Sequence, residues 1–387
     1  MLSESPEFAA APPPAPHPHG VETGPADARR AEAALQTLLT KIRRAIERNQ
    51  PLRLRGGGSK DFYGQQLRGQ LLDLRPYHGV VSYQPSELVV TARAGTRLLD
   101  LEARLAEQGQ CLPFEPPHFS ASGTVGGMVA AGLSGPARAS VGALRDYVLG
   151  VKIVNGRGQL LTFGGQVMKN VAGYDVSRLM AGSMGTLAAI VEVSLKVMPI
   201  APAQATLMFD LPETSARQRL NRWCGQPLPL NASCWHGGQL WVRLRGAQAA
   251  VDAACKSMGG QAMDPARARR MWTALREQTL PLLRLEPGQA LWRVSVPDTA
   301  TPLNLGPTLV EWHGAQRWVK LPPQDAPQVH TAAVRAGGHA TLFRGGDGHT
   351  PVFAAPASPL ARIHAALKQA FDPAGIFNPG RMYSDAG

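Results

Sequence analysis

Three glycine-bearing stretches lie between residues 53 and 187, and each places glycines beside Ser or Thr hydroxyls. They run from Arg53 to Lys60, from Ser120 to Gly127 and from Ala181 to Leu187. Because glycine lacks a Cβ, the backbone N–H groups of such loops can closely approach a phosphate or pyrophosphate. Three such loops in one part of the chain predict one elongated anionic cofactor, held at several points along its length.

Two familiar nucleotide signatures are absent from these stretches, and each stretch taken singly is typical of a tight turn. A P-loop needs G-x-x-x-x-G-K-[ST], whereas Lys60 is followed by Asp61. A Rossmann fingerprint needs G-x-G-x-x-G, and the glycines within residues 123–127 have a different spacing. The prediction of a cofactor site therefore depends on the combination of the three loops.

The first half of the chain alternates between predicted helices and strands. An amphipathic helix is expected from Asp27 to about Asn49, docked on the first domain, with a membrane-surface role left open because arginines decorate it. A second helix is expected over residues 97–108, capped by Thr96. The expected strands cover residues 71–74, 88–91, 147–154, 159–163 and 188–197, the last with Glu192 and Lys196 facing solvent.

The second half differs in character, because it holds all seven tryptophans and has prolines at its turns. Expected strands cover residues 240–244, 291–294 and 318–320, and expected helices cover residues 248–258 and 265–279. We predict four regions: a disordered Ala/Pro-rich tail (1–26), a first domain with its N-terminal helix (27–200), an α+β domain (201–360), and a C-terminal helix and tail (361–387).

Composition excludes several classes of protein. The net charge is +12, but the arginines are scattered, with no run of five basic residues and no interleaved aromatic residues, so we expect no nucleic-acid partner. The four cysteines form no C-x-x-C pair, which disfavours an iron–sulfur cluster or a zinc site of that kind. Without a signal-peptide pattern or a membrane-spanning run, the chain is expected to be cytoplasmic, with reduced thiols.

The order and spacing of the glycine loops, from Arg53 to Ile190, resemble the FAD-binding domain of the vanillyl-alcohol oxidase/PCMH flavoprotein superfamily. The ending from Asp372 to Arg381 is similar to that of the D-2-hydroxyacid dehydrogenase branch. More narrowly, the run from Gly165 to Leu179 resembles the FAD-binding (E-type) subunits of glycolate oxidases.

This resemblance implies an α/β plus α+β fold, in which a PCMH-type bipartite FAD-binding domain is followed by an α+β cap domain. It also implies FAD as the cofactor, with the pyrophosphate held by backbone N–H groups of the first two loops, where a Cβ on Gly126 would occupy its space. The implied cofactor-binding residues are Arg55, Gly56, Gly57, Gly58, Ser59, Lys60, Ser122, Gly123, Thr124, Val125, Gly126, Gly127, Gly182, Gly185, Thr186 and Ile190.

Two departures from the family pattern bear on the chemistry. The first loop lacks the His that often bonds covalently to the flavin, and His118 near the second loop is either another anchor or a residue capping a turn. Relatives carry an H-x-G-D-G-N-x-H metal segment, whereas this chain has Arg344 and Pro351 at the two His positions. We therefore expect non-covalent FAD and no metal; Arg344 either attracts a carboxylate or pairs with Asp347. The catalytic residues are not identified.

The resemblance implies a FAD-binding subunit that oxidises glycolate or a related 2-hydroxy acid to the 2-oxo acid within a complex. Its implied partners are a catalytic flavoprotein subunit and an iron–sulfur subunit, with at most peripheral association with the inner face of the membrane. Two alternatives stay open: a self-sufficient FAD-dependent D-2-hydroxyacid dehydrogenase, and a flavin-retaining structural subunit without redox turnover of its own.

Overall fold

A computed structural model describes residues 24–165 and 175–383. Most of the expected tail and the middle of the glycolate-oxidase-like run lie outside the described residues. The domain boundaries stay a prediction. Within the described ranges, no helix has the length and apolar character needed to cross a membrane.

The first part of the chain combines one long and several short helices with a mainly antiparallel sheet. Its strands are β1 (Leu52–Arg55), β2 (Gln70–Asp73), β3 (Val80–Gln84), β4 (Val89–Arg93), β5 (Gln110–Cys111), β6 (Val148–Val154), β7 (Leu160–Gly164), β8 (Ala189–Lys196) and β9 (Met198–Pro199). Its helices are α1 (Pro25–Glu47), α2 (Leu98–Ala106), α3 (Val125–Ala131), α4 (Arg138–Val141) and α5 (Val176–Met180). Strands β3-β4-β8-β6-β7 form a five-stranded sheet in that order, and β1 and β2 form a separate parallel pair.

Two apolar clusters hold this part together. Helix α2 buries Leu98, Leu101 and Leu105 against the five-stranded sheet because these positions share one helix face. Helix α1 buries Leu38 and Ile42, among others, in a second cluster that includes residues of β1 and β2. The expected docking of the N-terminal helix on the first domain is thus confirmed.

The second part is one antiparallel sheet covered by helices. Its strands are β10 (Ala203–Asp210), β11 (Leu230–His236), β12 (Gln239–Gly246), β13 (Gln261–Ala262), β14 (Ala290–Ser295), β15 (Thr308–Glu311), β16 (Gln316–Leu321) and β17 (His339–Arg344). Its helices are α6 (Glu213–Cys224), α7 (Gln248–Met258), α8 (Pro265–Arg276) and α9 (Ala326–Arg335). The eight strands pair in the order β13-β10-β12-β11-β15-β16-β14-β17. We call this part the cap.

The chain ends by returning to its beginning. Helix α10 (Ser358–Phe371) follows the cap, and Phe377 then forms a parallel bridge with Leu52 of β1. The buried carboxylate of Asp372 accepts hydrogen bonds from the backbone of Ile376 and Phe377, which fixes the turn between helix and tail. The tail thereby becomes part of the first domain.

Two local expectations were wrong. Glu192 was expected to face solvent but is buried: it lies 2.8 Å from the Lys152 Nζ and accepts a hydrogen bond from Tyr77, whose hydroxyl pKa is raised by burial and by this carboxylate. Thr96 does not cap α2, because Arg97 holds the N-cap position and the Thr96 hydroxyl bonds to the backbone of Gly79.

Candidate functional site

The first and second glycine loops pack directly on each other. A Cβ added to Gly57 would lie 1.5 Å from the carbonyl oxygen of Ser122, and one added to Gly56 would lie 2.1 Å from the Thr124 Oγ1. The Ser122 hydroxyl donates to the Gly57 carbonyl at 2.8 Å. Glycine is therefore required here for the close approach of two backbone segments, and the structure brings together the two loops that the sequence singled out.

The first loop presents a row of unused backbone donors. Within residues 24–165 and 175–383, no acceptor is found for the backbone N–H of any residue from Gly56 to Lys60. Gly58 has a φ of +75°, a left-handed conformation that suits glycine. Successive free N–H groups in such a turn form a concavity that binds anions, and this fits a pyrophosphate.

The second loop has a different local role from the one expected. A Cβ on Gly126 would lie 2.6 Å from the Cβ of Ala94, and the Gly126 N–H donates to the Ala94 carbonyl at 2.9 Å. The Gly127 N–H donates to the Thr124 side chain, which caps α3. Gly126 therefore allows α3 to approach the segment after β4, rather than making room for the pyrophosphate.

The third loop lies against the end of α3. The Gly182 N–H donates to the Val129 carbonyl at 2.9 Å, and a Cβ on Gly132 would lie 2.7 Å from the Gly182 Cα. Gly182 itself, at φ +85°, has open space where its Cβ would stand, with only one atom of Arg145 within 4 Å. The three loops are thus connected through α3.

The C-terminal tail fastens the first loop to the third, a role that sequence reasoning missed. The Asn378 Oδ1 accepts from the Leu54 N–H at 2.8 Å, and its Nδ2 donates to the Met184 carbonyl at 2.7 Å. The buried Arg381 guanidinium donates to the carbonyls of Asp61 and Tyr63, and burial lowers its pKa to about 10. The run from Asp372 to Arg381 was noticed in the sequence, but no pattern indicated what these side chains bind.

Not every expected site residue presents its side chain to this region. Val125 and Ile190 are buried in the core of the first domain. The Arg55 guanidinium pairs with Asp61 at 2.7 Å, and the Thr186 hydroxyl donates to the Ser183 carbonyl at 2.7 Å. The roles of these residues in cofactor binding stay predictions.

The cap is attached close to the second loop. The Glu277 carboxylate accepts from the backbone N–H groups of His118 and Phe119, at 3.1 and 2.8 Å. The Lys60 Nζ lies 5.5 Å from the centre of the Phe119 ring, and burial lowers its pKa to about 8 against the opposing effect of Glu277. The His118 Nε2 lies 2.9 Å from the Glu102 carboxylate.

A small cavity of about 20 Å³ lies between the first domain and the cap. Its apolar walls include Phe119 and Phe343. Three polar side chains of the cap also line it, and each has a buried atom without a hydrogen-bond partner in the described structure: the Arg293 Nε, the Gln278 Oε1 and the Gln316 Oε1. Since buried polar atoms normally find partners, these atoms indicate a small polar ligand or ordered water.

A buried acid stands in the same cavity. The Glu311 Oε2 accepts from the Trp318 indole at 2.5 Å and from the Gln316 Nε2 at 3.0 Å. Burial raises the pKa of Glu311 to about 7, although both hydrogen bonds act in the opposite direction. Perturbed acids in concave pockets are typical of functional sites.

Arg344 does not pair with Asp347. Its guanidinium lies 4.4 Å from the centre of the Phe62 ring and 5.4 Å from that of Phe119, and burial lowers its pKa. The Asp347 carboxylate instead accepts from the backbone of His349 and Thr350 and from the Thr350 hydroxyl, which lowers its pKa.

The donor set in this segment does not fit a divalent cation. The carboxylate oxygens of Asp347 already accept three local hydrogen bonds, and the neighbouring Arg344 is cationic. No group of three His, Cys, Asp or Glu residues within the described ranges could hold a metal ion. We therefore derive no chemical step through a metal.

Comparisons with known proteins agree with this architecture. The FAD binding domain family matches residues 32–164, and the C-terminal domain family of FAD linked oxidases matches residues 352–382. A solved alkyldihydroxyacetonephosphate synthase structure superposes with a TM-score of 0.61 at 17% identity, over 89% of this chain and 75% of that chain, which shows the shared fold.

Curated relatives define the family more closely. The glycolate oxidase subunit GlcE of Escherichia coli K12 is 47% identical over 351 residues, which cover 90% of this chain and 97% of that protein. The glycolate oxidase subunit GlcD of Bacillus subtilis is 31% identical over 140 residues, only 36% of this chain and 30% of that protein. The chain therefore belongs to the FAD-linked oxidases and, among them, to the family of the glycolate oxidase subunit GlcE.

Proposed function

We propose that this protein is the FAD-binding subunit of a multi-subunit glycolate oxidase, which oxidises glycolate or a related 2-hydroxy acid to the 2-oxo acid and passes the electrons onward. The likeness to GlcE over nearly its full length carries this proposal. Its partners are a catalytic flavoprotein subunit and an iron–sulfur subunit. None of the four free cysteines belongs to a C-x-x-C pair, which supports assigning the iron–sulfur cluster to another subunit.

The chain's own residues supply the binding of FAD. The free N–H groups from Gly56 to Lys60 hold the pyrophosphate, and Lys60 adds positive charge beside it. The open face at Gly182 leaves room for another part of the cofactor. When bound, the flavin supplies the two-electron acceptor that no amino-acid side chain provides.

The polar groups around the cavity beside the second loop have the hydrogen-bonding character that a small hydroxy acid requires, and the cavity, at about 20 Å³, has to widen to admit one. The Arg293 Nε is an unused donor suited to a carboxylate, while the free Oε1 atoms of Gln278 and Gln316 are acceptors for a hydroxyl. Glu311, with its pKa near neutrality, is suited to take up the hydroxyl proton. In this proposal Arg293 anchors the substrate and the two glutamines orient it.

Anaerobic addition of glycolate to the assembled complex tests this function. We expect the flavin absorbance to bleach, and Arg293→Gln to raise the glycolate KM with flavin content unchanged. The exposed Arg284→Gln is the matched control. Robust dye-linked turnover by the pure single chain would instead identify a self-sufficient dehydrogenase, and a flavin in this subunit that never bleaches would identify a structural subunit.

The proposed location is the cytoplasm, with peripheral association with the inner face of the membrane through the complex. The four free cysteines support this proposal, because unpaired thiols are typical of reducing compartments. Fractionation of cells that carry the tagged complex tests it, and a periplasmic location would contradict it.

A further inference from the structure

The turn between β15 and β16 (residues 312–315), which we call the cap turn, has an unusual backbone. Trp312 has a φ of +52° and His313 a φ of +57°, so two successive residues with large side chains are left-handed. Gly314 follows at +113°. A left-handed conformation disfavours residues other than glycine and persists only where surrounding contacts hold it. We therefore looked for the contacts that fix the cap turn.

The first domain supplies the contacts to Trp312. The buried Trp312 indole donates to the Gly135 carbonyl at 3.0 Å. The Arg138 guanidinium, at the start of α4, lies 4.4 Å from the centre of the Trp312 ring, which is a cation–π contact. The cap turn is thus anchored to the first domain at the beginning of α4.

The ring of His313 joins the cap to the first domain. Its Nε2 lies 2.9 Å from the Ser140 Oγ of α4, and its Nδ1 lies 3.0 Å from the Ser233 Oγ of β11. The His313 backbone N–H also donates to the Ser233 hydroxyl at 3.0 Å. A neutral imidazole has one donor and one acceptor nitrogen, and a hydroxyl can partner either of them. Burial lowers the pKa of His313 to about 4, which keeps the ring neutral near pH 7.

The cap turn also sets the position of two side chains at the cavity. Glu311 precedes the turn and Gln316 follows it, and these two residues lie opposite each other in the pairing of β15 with β16. The Gln316 Nε2 donates to the Glu311 carboxylate at 3.0 Å. Gly135, which accepts from Trp312, lines the same cavity. A displacement of the cap turn would therefore move the buried acid relative to the first domain.

We propose that His313 is a positioning residue, whose ring clamps the cap turn between Ser140 and Ser233 and thereby holds Glu311 in place at the cavity. The inference rests on the proposed function, in which Glu311 takes up the hydroxyl proton of the substrate. His313 acts through Glu311 rather than on the substrate, because both of its ring nitrogens already have hydroxyl partners.

Hydrogen exchange of indole N–H groups in the full chain tests this clamp without any turnover. The Trp318 indole donates to Glu311, so its exchange rate reports whether the carboxylate stays in place. The Trp272 indole, which bonds to Thr206, is the internal reference. His313→Ala should speed the exchange of the Trp318 indole about tenfold relative to that of Trp272, because the opening is local.

Two further variants make the test specific. Ser140→Ala removes only the hydrogen bond between the ring and α4, and it should speed the exchange of the Trp318 indole in the same direction. His330→Ala is the matched control, because His330 is a histidine of α9 in the cap whose ring packs against Trp292. This control should leave the exchange of Trp318 and Trp272 unchanged.

Steady-state kinetics of the assembled complex provide the second measurement. His313→Ala should lower kcat for glycolate about tenfold, which is part of what a general base contributes. KM should stay within about twofold of the wild type, because Arg293 still anchors the carboxylate in the proposed function. His330→Ala should change neither constant.

Three results would overturn the positioning role of His313. The exchange of the Trp318 indole could stay unchanged in both His313→Ala and Ser140→Ala. The Trp272 indole could exchange faster by the same factor, which would show a general loss of stability. The exchange of Trp318 could rise while kcat stays unchanged. A wild-type complex whose flavin is not reduced by glycolate would refute the proposed function, whereas the exchange of Trp318 would still decide whether His313 holds Glu311.

Discussion

Glycine at position 57 is required by its neighbour rather than by its own backbone angles. A methyl group there would lie 1.5 Å from the Ser122 carbonyl oxygen, so the first two loops would have to separate. We expect Gly57→Ala to cost about 1–3 kcal/mol of folding free energy, as overpacking does, and to lower the FAD content. The flavin-to-protein absorbance ratio of the purified chain measures this.

Gly225→Ala is the control for this substitution. Gly225 ends α6 with a negative φ, and the nearest atom to its added Cβ is 3.6 Å away. It should retain the wild-type flavin ratio. Equal ratios for both variants would show that the contact between the two loops does not hold the cofactor site.

The buried Glu311 makes stability depend on pH. Its pKa is raised to about 7 by burial, so the folded protein favours the protonated carboxyl. Ionisation of Glu311 therefore destabilises the folded protein. This effect is absent below the pKa of the unfolded chain, near 4.5, and grows until the pH exceeds about 7. From the pKa shift we expect full ionisation of Glu311 to lower the free energy of unfolding by about 3 kcal/mol.

Glu311→Gln should remove this dependence, because a neutral amide can still accept from the Trp318 indole. Urea unfolding at pH 5 and pH 8 tests the prediction, with the variant gaining stability relative to the wild type at the higher pH. A difference in unfolding free energy that does not change with pH would show that Glu311 titrates normally.

At the scale of elements, α1 is a structural part of the first domain. Ile42 has no exposed surface, and its truncation leaves a cavity between α1 and the β1–β2 pair. We expect Ile42→Ala to cost about 2–5 kcal/mol in urea unfolding. Ile363→Ala removes the same atoms from an exposed position of α10 and should stay within about 0.5 kcal/mol of the wild type. Similar costs for both variants would contradict the docking of α1.

The tail is the other element on which the site depends. Asn378→Ala leaves the Leu54 N–H and the Met184 carbonyl without their partner, at about 1–3 kcal/mol for the buried carbonyl and less for the part-buried N–H. FAD should dissociate faster, because both glycine loops lose their link, and dilution with flavin fluorescence detection measures this. The exposed Asn304→Ala, also at a positive φ, controls for the backbone conformation. Equal dissociation rates for the two variants would contradict the role of the tail.

The whole molecule should release its flavin on denaturation. The residues from Arg53 to Asp61 include no His, and the His118 ring already lies against Glu102. We expect acid precipitation to leave the yellow colour in the supernatant. Colour that stays with the precipitate would indicate a covalent bond, and mass spectrometry of peptides would locate it.

The structural features that could be predicted from the sequence are those that depend on residues close together along the chain. The expected strands 147–154 and 159–163 pair as β6 and β7 because the Asn155 side chain between them accepts from the backbone of Arg157 and Gln159, which forms a local turn. The glycine loops were also visible locally. The burial of Glu192 could not be predicted from its neighbours along the chain, because Tyr77, which covers it, comes from a distant segment. The cavity escaped prediction for the same reason, since its polar atoms come from separate strands and helices of the cap.

The hydrogen bond from Leu54 to Asn378 joins residues that are 324 positions apart. The first glycine loop is therefore synthesised long before the Asn378 side chain that fastens it to the third loop. Until Asn378 has been synthesised, the first and third loops lack this fastening. A chain that terminates prematurely in the cap lacks this link, and we expect it to lose FAD faster than the full chain does.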